Sequence, residues 1–139
     1  MSRLAAIALT ALLALTGCDE KLAAADGKAA ISLTLTDFSY AFRNGRHTYT
    51  HQRVFRETGS VGVTIVRGKV CVRDGAECSD ALVNYRIEAS QSLVQPRHFV
   101  ATPNAKDRIT LHYWAKDDAG NKFEFGKSLR TDGETVIVE

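Results

Sequence analysis

Three groups of residues have types and spacings that could support chemistry. The first is Cys71 and Cys78. If Asp74-Gly75 forms a two-residue turn, Arg73 faces Ala76, Val72 faces Glu77 and Cys71 faces Cys78, at a separation that suits a disulfide. Closing so small a loop is worth about 2–3 kcal/mol. Six intervening residues with no histidine close by in sequence fit neither a CxxC redox motif nor a zinc site, so the bridge is expected to be structural.

The second group lies between Phe38 and Arg56. Asn44-Gly45 is a strong hairpin signal and sets the register: Phe42 with His47, Ala41 with Thr48, Tyr40 with Tyr49, Ser39 with Thr50, Phe38 with His51. One face then carries Phe38, Tyr40, Phe42, His47, Tyr49 and His51. Arg43, Arg46, Arg53 and Arg56 lie near the tip and beyond it. Two readings stand side by side. The aromatic face is the domain's own core, built from cross-strand pairs. Alternatively it is a partner-binding patch, with Tyr40 and Tyr49 as anchors and Arg43 and Arg46 as rim contacts, a composition enriched at interface hot spots. His47 and His51 would sit about 13 Å apart along a strand, too far to share one metal ion.

The third group is Asp117, Asp118 and Asn121, hard oxygen donors that could gather calcium with Asp107 or Asp132 from neighbouring loops. The same residues are ordinary turn chemistry. No G-x-S-x-G, HExxH, Walker loop or Gly-rich nucleotide fingerprint occurs, and no acid–base carboxylate pair stands out. The expectation is a non-catalytic protein with no cofactor and no resident metal.

The elements that would position these groups are strands. Ile31, Leu33 and Leu35 alternate with polar residues, as do Val61, Val63 and Ile65; Val83, Tyr85, Ile87 and Ala89; Ile109, Leu111, Tyr113 and Ala115; Phe123 and Phe125; Val136 and Val138. His98 to Ala101 forms a weaker candidate after Pro96. The apolar phase switches from odd positions in Ile31–Leu35 to even positions in Phe38–Phe42, which calls for a bulge near Thr36-Asp37. Asn44-Gly45, Asp74-Gly75, Gly120-Asn121 and Asp132-Gly133 punctuate the pattern. Seven to nine short strands of this kind imply an all-β antiparallel sandwich or small barrel. Trp114 lies between inward Tyr113 and Ala115, so it points to the other face, either under a loop or at a binding surface.

The leader is separate from this domain. Arg3 precedes an apolar run from Leu4 to Leu15, the form of a secretory signal and too short to span a bilayer. Leu15-Thr16-Gly17-Cys18 resembles a bacterial lipobox. The resemblance implies that residues 1–17 are a lipoprotein signal peptide. It also implies that Cys18 is acylated, with palmitate-type chains as a membrane lipid anchor, and that the protein faces the periplasm or cell exterior. One chain alone binds marginally, so the multiple chains of that family would make attachment permanent. Asp19 resembles the inner-membrane retention signal of enteric bacteria. Residues 18–30, the acylated Cys and a small polar stretch, read as a tether, and residues 31–139 as a single domain. The 18 Lys and Arg less Arg3 leave 17 against 16 Asp and Glu, which argues against a nucleic-acid binder.

Tyr113-Trp114-Ala115-Lys116-Asp117-Asp118-Ala119-Gly120-Asn121 resembles the late strand and turn of bacterial immunoglobulin-like domains. That implies an immunoglobulin-like sandwich and carries no function with it. The expected role is a lipid-anchored accessory protein that binds an envelope partner at the Phe38–Arg56 hairpin. The alternatives are a periplasmic inhibitor of an incoming hydrolase such as lysozyme, or a small-ligand or metal carrier.

Overall fold

The computed structural model describes residues 27–139. Eight strands form an antiparallel, immunoglobulin-like sandwich: β1 (Ile31–Arg43), β2 (Arg46–Glu57), β3 (Val63–Val72), β4 (Glu77–Ile87), β5 (Ser92–Thr102), β6 (Lys106–Asp117), β7 (Lys122–Asp132) and β8 (Thr135–Val138). One sheet has the order β1-β2-β5, the other β4-β3-β6-β7-β8. The chain therefore crosses between sheets after β2, β4 and β5. All turns joining β1–β2, β3–β4, β5–β6 and β7–β8 lie at one end, which we call distal. The chain enters β1 at the opposite, proximal end.

Local chemistry fixes the registers. Asn44 and Gly45 both take positive φ (50° and 73°), the backbone that a two-residue hairpin requires. The pairs Phe42–His47, Tyr40–Tyr49 and Ser39–Thr50 follow. The register shifts between Thr36 and Ser39, and Asp37 has φ 56°, so a bulge sits where the apolar phase changes. Asp74 and Gly75 also have positive φ, and Cys71 faces Cys78 with the disulfide formed.

The space between the sheets is filled by Leu33, Leu35, Tyr49, Phe55, Val63, Ile65, Ile109, Leu111, Tyr113 and Leu129. Three buried carboxylates tie the loops to it. At the proximal end, Glu57 accepts from the backbone N–H of Ala30 (3.2 Å), Gly59 (2.6 Å) and Ser90 (2.8 Å). Asp117 accepts from Ala29 N (3.1 Å) and from Asn121 N (2.8 Å) and Nδ2. At the distal end, Asp107 gathers the N–H groups of Arg73, Asp74 and Arg108 and the Thr102 hydroxyl. Successive amides offered by a tight turn form an anion cradle, and here the cradle is filled from within. Burial alone would raise the pKa of Glu57 and Asp117, but the hydrogen bonds they accept hold both below the ordinary carboxylate value.

The last residues of the expected tether belong to the fold. Ala29 is buried, and the Ala30 carbonyl accepts from Thr58 N at 2.8 Å. Gly59 passes so close to Lys28 that a Cβ would meet its carbonyl oxygen, which glycine alone avoids.

Candidate functional site

The aromatic hairpin was the sequence-based candidate. The structure makes most of it core. β2 is the central strand of its sheet, covered at both edges by β1 and β5, so its inward row must fill the space between the sheets. Tyr49 and His51 are fully buried, which corrects their assignment as partner-binding residues. Phe38 and Tyr40 are half-buried and pack against the same core. Tyr49 donates to the Gly133 carbonyl at 2.6 Å, and Tyr40 and His47 are joined through the hydroxyl and Nδ1 at 2.9 Å. Arg46 bridges to Glu77 at 2.5 Å, tying the hairpin tip to β4. Only the extreme tip projects, with Phe42 60% exposed and Arg43 beside it.

Two features of that core were not visible in sequence. His51 lies opposite His98 of β5, with His51 Nε2 and His98 Nδ1 2.9 Å apart. Arg53, one of the four arginines near the hairpin, is buried. Its guanidinium donates to the Tyr113 hydroxyl at 2.7 Å and to the Gln95 side-chain oxygen, over the rings of Phe55, Tyr85 and Tyr113. Among the described residues it has no carboxylate partner. Arginine's weakly hydrated, planar cation tolerates such an aromatic cage. Its charge also makes the adjacent histidine pair a poor seat for a metal cation.

The calcium alternative does not fit the geometry. Asp117 spends its oxygens on N–H donors, and Asp118 is held by Arg86 at 2.6 Å. Asp107 is saturated in the distal cradle, and Asp132 pairs with Lys106. Cys18 lies outside the described residues.

What the fold leaves open is the outer face of the five-stranded sheet. β3 has a register shift between Ile65 and Arg67, and the displaced Val66 is 39% exposed. Across the sheet, one row runs Leu82 on β4, Arg67 on β3, Trp114 on β6 and Glu124 on β7. Arg67 stacks over the Trp114 ring at 4.3 Å and forks onto Asp80. That fork raises the Arg67 pKa and lowers that of Asp80. His112, two residues back on the same strand, meets Trp114 edge-on at 4.4 Å and lies 3.4 Å from Glu124. Beside this clamped indole, Leu82 is 88% exposed on an edge strand. Val66, Leu82, Trp114 and the aliphatic stems of Lys116 and Lys122 bound a shallow apolar groove.

Leu82 precedes inward-facing Val83 on β4 and so falls on the outer face. What sequence lacked was the pairing of β4 with β3 and of β3 with β6, which brings Leu82, Val66 and Trp114 together.

No protein-family model matches the chain, and no curated protein matches it. Solved structures do share the fold. The crystal structure of a Bordetella pertussis protein provisionally named ApaA aligns with a TM-score of 0.60 at 12% identity, over 77% of this chain and 94% of its own. An X-ray structure of a Northeast Structural Genomics Consortium target aligns with a TM-score of 0.58 at 9% identity, over 76% of this chain and 86% of its own. At such identities the likeness is one of fold alone.

Proposed function

We propose that this protein is a lipid-anchored, non-catalytic accessory component of the bacterial envelope. It engages a macromolecular partner through the outer face of its five-stranded sheet. The observation that carries the reading is Leu82. It is an almost wholly exposed leucine at the edge of an apolar groove whose indole is held by Arg67 over its ring and by an edge-on contact with His112. A rigid aromatic next to an unpartnered aliphatic residue, rimmed by charge, is the composition of an interface hot spot.

Two further features support it. The lipobox-like Leu15–Cys18 provides the anchor, at the end of the chain that leads into the proximal end of the domain. The enclosed acid–base groups are also occupied. Glu57, Asp107 and Asp117 hold backbone amides, and His51 and His98 hold each other.

The test is crosslinking pull-down of the full-length protein from its native envelope, comparing wild type with Leu82→Asp and Cys18→Ser. Leu82→Asp is expected to lose the partner at unchanged melting temperature. Cys18→Ser is expected to move the folded domain to the soluble fraction. Retention of the partner by Leu82→Asp would overturn the assignment of the face. Retention of Cys18→Ser in the membrane fraction would overturn the anchor.

A further inference from the structure

The charges around the groove are unequally satisfied. Arg67 is taken up by Asp80 and the nearby Arg86 by Glu88 and Asp118, while Glu124, which also lines the groove, lies 3.4 Å from the His112 ring. Lys116 and Lys122 are the exception. They face each other directly across β6 and β7, both exposed, and neither joins an ion pair among the described residues. Like charges directly opposite on a sheet repel, so this pair carries a standing electrostatic cost that a carboxylate set between the two ammonium groups would remove. Both lysines border the same groove as Val66, Leu82 and Trp114.

We infer that the groove takes an acidic, apolar segment of a protein partner. An aliphatic or aromatic side chain seats against Leu82, Val66 and Trp114, and a neighbouring Asp or Glu carboxylate bridges Lys116 and Lys122. The inference rests on the assignment of this face as the interaction surface and names the chemistry of what binds there. Apolar contact supplies residence, and the lysine pair supplies selection and salt-sensitive association.

Trp114 is the single tryptophan of the chain, so its fluorescence reports occupancy of the groove without a label. The probe is an immobilised library of short peptides. In it Leu, Ile, Phe or Trp is combined with Glu, with Gln or with Lys at flanking positions. It is screened with the full-length lipidated protein in detergent, and the hits are titrated by Trp114 emission. Enrichment of Glu-containing apolar peptides is expected, binding about tenfold tighter than their Gln counterparts at low salt. Lys116→Gln/Lys122→Gln is expected to erase that difference without lowering the melting temperature, since it also removes the repulsion between the two charges.

Equal binding of Glu and Gln peptides, enrichment of basic peptides, or no enrichment at all would overturn the inference. So would an emission change with phosphatidylglycerol vesicles but not with peptides, if the lysine variant lost it, because the pair would then face lipid headgroups. These failures are distinguishable from failure of the surface itself. If the acidic preference is absent but Leu82→Asp still loses the envelope partner, the face stands and only its chemistry is wrong.

Discussion

His51 and His98 face each other across β2 and β5 with ring nitrogens 2.9 Å apart, and Arg53 on the same strand as His51 brings a buried cation to their side. The groups packed around the pair offer it no negative charge. They are Phe38 on β1, Tyr49 and Arg53 on β2, and, around Arg53, Tyr85 on β4 and Tyr113 on β6. Glu77 near the mouth by His98 is committed to Arg46.

Stability is therefore expected to fall in mild acid. Burial, and then the Arg53 charge, lowers the His51 pKa to about 4. Burial, Arg53 and His51 together lower that of His98 to about 3. Both are neutral in the fold but take up protons near pH 6.5 once unfolded. Their contribution is fully present above about pH 6.5 and is lost as pH falls through about 4 and then 3. Each histidine adds at most ~1.4 kcal/mol per pH unit in that window, less what solvent screens at the open β5 edge. Denaturant unfolding between pH 7 and 4.5 should show this slope, and His51→Gln/His98→Gln should flatten it. A slope unchanged in that variant would place the titration elsewhere.

Tyr49→Ala is expected to unfold the domain rather than free a ligand. The ring fills the inter-sheet space, and its loss should cost about 3–5 kcal/mol, whereas Tyr49→Phe, losing only the bond to Gly133, should cost about 1 kcal/mol. Thermal melts of the two variants check this. Near-equal, small effects would return the hairpin face to the surface.

The contrast between Tyr49 and Leu82 shows where sequence reading stops. Pair registers at Asn44-Gly45 and Asp74-Gly75, the bulge at Thr36-Asp37 and the disulfide were all legible, because turn chemistry and period-two alternation act within one hairpin. Which face of a hairpin is buried depends on the sheet that packs over it, which no local pattern records. His98 illustrates the same limit. Its strand looked short and weak because Pro96 interrupts it. Pro96 in fact sits within β5 beside the shift in β2–β5 register, on an edge strand where a missing N–H is tolerated. A polar row of His51, Arg53 and Glu57 in an inward register reads as surface until its partners are known. The candidate groove draws on four strands from two hairpins distant in sequence, β3–β4 and β6–β7, so only the apolar residues themselves were visible beforehand.

Glu57 should behave as a structural clamp. Glu57→Gln turns an NH2 donor toward backbone N–H groups that need an acceptor, and is expected to cost about 2–3 kcal/mol and lower the melting temperature. Hydrogen exchange should locate the loosening at Ala30, Gly59 and Ser90. Uniform protection at these amides in the variant would show that the carboxylate is not what holds them.

The central claim is that the outer face of the five-stranded sheet is where this protein meets its partner. Site-specific photocrosslinking in the native envelope tests it most directly, with the reactive side chain placed at Leu82 and, in parallel, at Gln52 on the outer face of the other sheet. A discrete crosslinked species from position 82, absent from position 52 and lost when Trp114 is replaced by Ala in a still-folded chain, is the predicted result. A crosslink from position 52 with none from position 82 would contradict it.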